Sequence, residues 1–266
     1  MTVLSVVRDV CAAVGVALPP SLFSGISGNR TQQELLAMAN EMAQRIAYDY
    51  RDWTALKTTH TFNGDSVWDP VSRTWSGGST AFDLPANYKR LLLTSNVWRS
   101  SSSSTPMSFV SDTDEWLNHR LRNTPGSAFG EWSLFGNQMH IYPVLRGPKP
   151  AVIEDPGPPY VPPEVATIPE QATFAYMDKN CVRLASGGYG DSFLNDGDGF
   201  VLDERLLKLG MIWNWKQNKG ASYAEEMGTF GDAMGVAMGH DSPGPIIVGR
   251  LPLARVAGPG AWSWPS

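Results

Sequence analysis

Residues 202–226 constrain the fold more than any other stretch of the chain, and they read LDERLLKLGMIWNWKQNKGASYAEE. Asp203 stands where an N-cap accepts hydrogen bonds from the first amides of a helix. Residues at helical spacing then share one face: Leu206, Leu209, Gly210 and Trp213. Gly220 predicts the end of this helix, and a second helix is expected near Ser222, with Glu225 as its capping-box partner. The stretch therefore predicts a helical hairpin with an apolar seam.

The same stretch resembles the C-terminal signature of the head-to-tail connector, or portal adaptor, proteins of tailed bacteriophages, which is close to LLDExLLxLGxIWRWKxxKGxDYAE. The matching residues are Leu202, Asp203, Glu204, Leu206, Leu207, Leu209, Gly210, Ile212, Trp213, Trp215, Lys216, Lys219, Gly220, Tyr223, Ala224 and Glu225. Two shorter stretches add to the resemblance. Residues 4–16 read LSVVRDVCAAVGV, and residues 82–92 read FDLPANYKRLL, similar to the YDLPxDFxRL of such proteins. The chain departs from the signature at Asn214, where a basic residue is commoner.

The resemblance implies a structural protein of the virion neck, made in the host cytoplasm, with no catalytic residue, cofactor or metal. Its copies are expected to form a ring, usually of twelve in this family, that extends the DNA channel, docks the tail and helps to retain the packaged genome. The implied partners are the portal protein, a downstream tail or nozzle protein, and genomic DNA that passes through the lumen without sequence-specific binding.

The charge of the chain agrees with that expectation. The sequence has 21 basic and 26 acidic residues, a net charge of −5, and no basic block. Stable binding to nucleic acid depends mainly on neutralising phosphates, so the composition argues against it. Twelve copies would together carry −60 (12 × −5), which suits a channel along which DNA slides. No apolar run approaches the roughly 20 residues of a membrane span, and no signal peptide is recognisable, so we expect no membrane association.

The predicted fold class is α+β, with terminal helices forming one helical bundle around a β-rich insertion. Residues 1–54 and 196–239 are assigned to the bundle, 55–195 to the insertion, and 240–266 to an extended C-terminal arm. Helix one is expected over residues 2–14. Helix two is expected to open with a capping box of Thr31 and Glu34 and to continue its apolar period as far as Trp53. The face of the hairpin's first helix that carries Leu206, Leu209 and Trp213 is expected to pack against helix two through Leu35, Met42 and Ile46.

Strand patterns fill the middle of the chain. Apolar and polar residues alternate from Ala55 to Phe62. Gly136 and Asn137 separate two alternating runs and predict a tight hairpin turn. Residues 173–182 also alternate and indicate a strand, although their length would suit a helix as well.

Residues 240–266 combine five prolines with apolar side chains, a composition that solvated disorder does not favour. We expect the segment to be disordered in the free monomer and to order as an arm along the portal or a neighbouring adaptor subunit. The expected anchors are Ile247, Leu251, Leu253, Trp262 and Trp264. The alternative is that the segment folds back on its own β-rich part.

The sequence contains only weak patterns of residues that could act in catalysis or bind a metal. The histidines, His60, His119, His140 and His240, lack a metal-ligand spacing. Three groups are interpreted as turns or helix starts rather than as phosphate, calcium or hydrolase sites: Gly187, Gly188 and Gly190; Asp191, Asn195, Asp196 and Asp198; and Asp112, Asp114 and Glu115. Cys11 and Cys181 are expected to be buried.

Ten tryptophans support an alternative function. We expect Trp53, Trp213 and Trp215 to lie in the core or at a subunit contact. Four others fall in the β-rich part, where exposed rings could stack on sugars: Trp68, Trp75, Trp98 and Trp132. The alternative is therefore a carbohydrate-binding or glycan-cleaving β module of a virion or secreted protein.

Overall fold

The computed structural model describes residues 2–24, 29–92, 95–102, 104–149 and 167–241, and over these it is an α+β protein. Its helices are α1 (Val3–Val14), α2 (Arg30–Tyr48), α3 (Thr113–Leu121), α4 (Glu204–Asn218) and α5 (Ala224–Asp241). The expected anchors of the C-terminal arm, from Ile247 to Trp264, lie outside the described residues. Most of the proline-rich stretch before Thr167 does too.

Helix α1 begins at Val3 and ends at Val14, within the expected range of residues 2–14. Thr2 is the N-cap, and its side chain forms a capping box with Ser5. The buried face consists of Val3, Val6, Val7, Val10 and Cys11. Gly15, at a φ of 72°, ends the helix in the left-handed conformation that glycine adopts most easily.

Helix α2 differs from the prediction at both ends. Its N-cap is Asn29, which accepts a hydrogen bond from the amide of Gln32, so the capping box of Thr31 and Glu34 is wrong. An asparagine two residues earlier supplies the cap, and Glu34 contacts cations instead. The helix stops at Tyr48, before the expected Trp53. Trp53 is nevertheless buried, and its indole N–H donates to the carbonyl of Ile46 at 2.6 Å.

The second helix of the hairpin, α5, begins at Ala224, two residues after the expected start near Ser222. Phe230 and Met234 are buried as expected, whereas Met227 is 52% exposed.

Short strands make up the middle of the chain, preceded by a 3₁₀ turn at Thr54–Leu56. In the first half these are β1 (Lys57–Asn63), β2 (Val67–Asp69), β3 (Thr74–Ser76), β4 (Ala81–Asp83), β5 (Tyr88–Leu91), β6 (Trp98–Arg99) and β7 (Ser108–Phe109). The second half contains β8 (Glu131–Phe135), β9 (Gln138–Tyr142), β10 (Gln171–Asp178), β11 (Val182–Arg183), β12 (Tyr189–Gly190) and β13 (Gly199–Phe200).

Two four-stranded sheets organise the β-rich part. In the first, β10 pairs antiparallel with β1 on one side and with β5 and β6 on the other. The second has the order β4-β9-β8-β7. Its β8–β9 hairpin turns at Gly136 and Asn137, both with positive φ (62° and 60°), which confirms the predicted tight turn. Residues 173–178 belong to β10, so the strand interpretation is confirmed over that part.

The described residues contain two large apolar cores. The first joins side chains of α1, α2, α4 and α5 with residues near the ends of the β-rich part, such as Met177 and Phe200. The second lies between the two four-stranded sheets, around Phe62, Met139 and Phe174. The helices from both ends of the described chain thus share one core, and the sheets have another.

Candidate functional site

The residues of the connector-like signature lie where α4 packs against α2 and α5. Asp203 caps α4 by accepting from the amide of Arg205 at 2.8 Å. Leu206, Trp213 and Trp215 are buried, and Leu209 packs against the same core. The ring of Trp213 lies 6.2 Å from that of Phe230 in α5, a neighbour that the sequence did not predict.

Gly210 of α4 lies directly against side chains of α2 and α5. A β-carbon at this position would lie 2.7 Å from both Cγ and Sδ of Met42, and 3.2 Å from Cε2 of Phe230. Real side chains avoid contacts that short, so only glycine fits without displacing a neighbour. The signature glycine thus permits α2, α4 and α5 to meet.

The turn between α4 and α5 is a Schellman motif. Gly220 has a φ of 69°, its amide donates to the carbonyl of Gln217 at 3.1 Å, and the amide of Ala221 donates to the carbonyl of Lys216 at 2.9 Å. The side chain of Lys216 pairs with Glu226 at the start of α5. Tyr223 is half-buried against the helical core. These contacts fix the direction in which α5 leaves the turn.

A groove of about 380 Å³, lined by both polar and apolar residues, lies between α2 and α4 beside the signature. Lys219 contacts Glu34 at 2.6 Å and lies over the ring of Trp215 at 4.7 Å. Hydrogen bonds from Lys219 and then Arg30 lower the pKa of Glu34. Asn214, the departure from the signature, lines this groove and is only 6% exposed.

The acidic and glycine-rich groups that could have indicated a hydrolase, phosphate or calcium site form helix caps and turns in the described part of the chain. This agrees with their interpretation from the sequence. Asp112 is the N-cap of α3, whose first turn carries Asp114 and Glu115. Gly187 and Gly188, with φ values of 97° and 81°, form the turn between β11 and β12. No group of three metal-binding side chains occurs among the described residues.

The loop before α4 is held by backbone amides. Asp198 is fully buried, and its carboxylate accepts hydrogen bonds from the amides of Ala185, Leu194 and Asn195 at 2.7–2.8 Å. Asp196 accepts from the amide of Leu22 at 2.7 Å. The Asp198 carboxylate therefore organises this loop, and the Asp196 carboxylate attaches to it the segment after α1 that contains Leu22. The backbone carbonyl of Asp198 accepts from the amide of Val3 at 2.7 Å and so holds the start of α1.

The histidines lie apart from one another, and two of them, His60 and His140, contact aromatic rings. His60 lies 4.9 Å from the ring of Phe62, and His140 stacks on Phe135 at 3.6 Å. Burial lowers the pKa of both. His119 contacts Glu131 at 2.9 Å, and Cys11 and Cys181 are buried free thiols, as expected.

A buried ion pair joins two residues that no sequence pattern had indicated, Arg99 and Glu170. Arg99 contacts Glu170 through Nε at 2.7 Å and Nη2 at 2.6 Å, and it also donates to the carbonyls of Pro143 and Val144. Burial acts to raise the pKa of Glu170, but hydrogen bonds from Arg99, Ser101 and the Arg146 amide outweigh it and bring the pKa to about 2. The pair joins β6, the residues before β10 and the chain after β9.

The four tryptophans of the β-rich part do not lie together on one exposed surface. Trp132 is buried against Phe109, and Trp98 is 43% exposed. Trp68 and Trp75 face each other across the β2–β3 hairpin at 5.2 Å. These two rings line a cleft of about 500 Å³ together with Ser100, Ser101, Arg146 and Thr167.

No protein-family model and no curated protein matches this sequence. None of the described helices is long and apolar enough to cross a membrane.

Proposed function

We propose that this protein is a structural head-to-tail connector of a tailed-phage virion. In this role, copies form a ring of about twelve under the portal, extend the DNA channel and dock a downstream tail or nozzle protein. The protein acts without catalysis, cofactor or metal, and its place is the neck of the virion.

One observation supports the proposal most: the signature residues lie together where α2, α4 and α5 pack against one another. Gly210 provides close approach, Gly220 provides the turn, and Lys216 fixes the hairpin. Here, the stretch that resembles the connector signature determines how three helices meet.

The finer architecture belongs to the same proposal. Residues 1–54 and 196–239 form one helical bundle, and residues 55–195 are a β-rich insertion in it. Support comes from the shared helical core and from the separate core between the sheets. In a ring, such a bundle can form the repeated wall while the insertion projects from it.

The C-terminal residues are the proposed contact with the portal or a neighbouring subunit. Their anchors are Ile247, Leu251, Leu253, Trp262 and Trp264. The proposal for these side chains rests on sequence composition, because they lie outside the described residues.

Native mass spectrometry and negative-stain electron microscopy test the proposal. The purified chain is measured alone and after mixing with the portal protein encoded in the same phage genome. A ring of about twelve copies, alone or on the portal, supports the connector. A chain that stays monomeric and does not bind the portal protein at any tested salt concentration contradicts the proposal.

The alternative is a glycan-binding β module, favoured by the Trp68–Trp75 pair beside its cleft and by the exposed Trp98. A glycan array on the intact chain separates the two functions. Binding that Trp75→Ala abolishes, with Trp53→Phe as the folded control away from the cleft, would support the alternative. Absence of binding to every glycan leaves the connector as the better proposal.

A further inference from the structure

The cleft beside Trp68 and Trp75 adjoins a second cavity. The cleft has a volume of about 500 Å³ and the second cavity one of about 440 Å³, and Ser101, Arg146 and Glu170 line both. Volumes of about 300–1,000 Å³ are typical of sites for small ligands. The two adjoining spaces can therefore accept a ligand that has more than one ring.

The charged side chains around the cleft favour an anionic ligand. Glu170 is the only acidic residue among the described residues that line the two cavities. Its charge is matched by Arg99, which donates to the carboxylate from Nε at 2.7 Å and from Nη2 at 2.6 Å. Arg146 is a further cation in the lining of both cavities, and it is exposed. A ligand with a negative charge would therefore find a cation at the boundary of the two spaces.

The backbone that carries Arg146 is held in place by its neighbours. The amide of Arg146 donates to the carboxylate of Glu170 at 2.9 Å, and its carbonyl accepts from the amide of Glu170 at 2.8 Å. The amide of Gly147 donates to the hydroxyl of Ser66 at 3.0 Å. A β-carbon at Gly64 would overlap the carbonyl of Arg146. A β-carbon at Gly147 would overlap the carbonyl of Ser66. The two glycines thus permit a close approach that fixes the point from which the Arg146 side chain extends.

The indole rings of Trp68 and Trp75 supply an apolar wall to the cleft. The rings lie 5.2 Å apart across the β2–β3 hairpin, and Nζ of Lys149 lies 4.1 Å from the centre of the Trp68 ring. The indole N–H of Trp68 is buried and has no acceptor among the described residues, so packing rather than a hydrogen bond orients this ring. The C–H groups on the face of a sugar ring pack well against such an indole.

An aromatic wall beside a fixed cation suits a ligand that has both an apolar face and a negative charge. Guanidinium groups bind the two oxygens of a carboxylate as a pair. We propose that the cleft binds an acidic oligosaccharide, with one sugar ring on Trp68 and Trp75 and a sugar carboxylate on Arg146. The site does not require the connector function. It also differs from a site for neutral glycans, in which Arg146 would have no charged partner.

Isothermal titration calorimetry on the full chain tests whether the ligand must be charged. The probes are short fragments of polygalacturonate, alginate and hyaluronan, and each is compared with its methyl ester, which has the same rings without the charge. At least one acid should bind with a Kd below about 1 mM, at least about tenfold more tightly than its ester. Binding of that acid should weaken between about 50 and 500 mM salt, because salt screens exposed charges. No binding of any acid, or equal binding of acid and ester, would overturn the proposal.

Matched variants test whether binding occurs at the cleft. Arg146→Gln removes the charge and should weaken binding of the acid at least about tenfold. Arg122→Gln makes the same change at the end of α3, at an exposed residue outside the lining of both cavities, and should leave the affinity unchanged. Trp75→Ala should abolish binding while circular dichroism shows that the fold is kept.

Equal losses in Arg146→Gln and Arg122→Gln would indicate non-specific attraction of charge and would overturn the site, as would unchanged binding in Arg146→Gln. A glycan array on which only neutral sugars bind, with Trp75→Ala abolishing that binding, would also overturn the acidic ligand. It would leave the neutral β module as the function of the cleft.

Discussion

Replacing Gly210 by alanine tests whether the signature glycine is required by packing. The added methyl would lie 2.7 Å from Cγ and Sδ of Met42 and 3.2 Å from Cε2 of Phe230. Met42 is fully buried and Phe230 is 4% exposed, so neither side chain can move into solvent. Gly235 in α5 offers a matched control, because nothing lies within 4 Å of the β-carbon that alanine would add there.

Two opposing free energies determine the result at Gly210, and only the first of them applies at Gly235. Alanine is about 1 kcal/mol better than glycine inside a helix. Forcing an extra methyl into a packed core costs about 1–3 kcal/mol. Gly210→Ala should therefore lower the free energy of unfolding by about 0–2 kcal/mol, whereas Gly235→Ala should raise it by up to about 1 kcal/mol.

Urea unfolding followed by circular dichroism measures both changes, and a double-mutant cycle identifies the cause. Met42→Ala removes Cγ and Sδ, so the penalty for Gly210→Ala should disappear in that background and the helix preference should remain. If Gly210→Ala and Gly235→Ala raise the urea midpoint equally in the wild-type background, α4 is not held at Met42 as described.

Three further perturbations test separate features. Trp213→Ala should lower the free energy of unfolding by about 3–5 kcal/mol, because it empties a buried site beside Phe230; an unchanged melting temperature would exclude Trp213 as a core anchor. The Glu170 carboxylate, with a folded pKa of about 2 against an ordinary 4.5, should contribute about 3 kcal/mol above pH 4.5 and lose this as the pH falls toward 2. Urea unfolding between pH 6 and pH 2 should show that loss in the wild type and a flatter profile in Glu170→Gln. The protein should not bind duplex DNA tightly at about 150 mM salt in a fluorescence anisotropy assay, since its net charge is −5; tight binding would contradict the proposed channel.

The helices could be predicted from sequence because their information is local. The valines of α1 recur at helical spacing, and Asp203 and Gly220 supply the start and stop signals of α4. The turn at Gly136 and Asn137 was equally accessible, since few residues other than glycine and asparagine adopt two successive positive φ values. Where two local signals competed, the prediction was wrong. Asn29 rather than Thr31 caps α2.

Contacts between distant segments could not be predicted. Arg99 and Glu170 are 71 residues apart, and neither lies in a local pattern that indicates a buried partner. The partners of β10 come from residues 57–63 and 88–99, and alternation alone does not select between strands. The close fit of Gly210 was visible in the sequence only as a glycine in a helix, and the identity of its neighbour Met42 required the structure.

The core shared by α1, α2, α4 and α5 has a consequence for synthesis of the protein on the ribosome. About 170 residues separate the end of α2 from the end of α4. The ribosome adds about 5–20 residues per second, so roughly 10–30 s pass between the synthesis of α2 and the completion of α4, which packs against it. During that time, Val7, Val10, Met42 and Ile46, all buried in the folded chain, lack their final partners. The β-rich part, whose core between the sheets is complete once β10 has emerged, can fold first and bring the two ends of the helical core together.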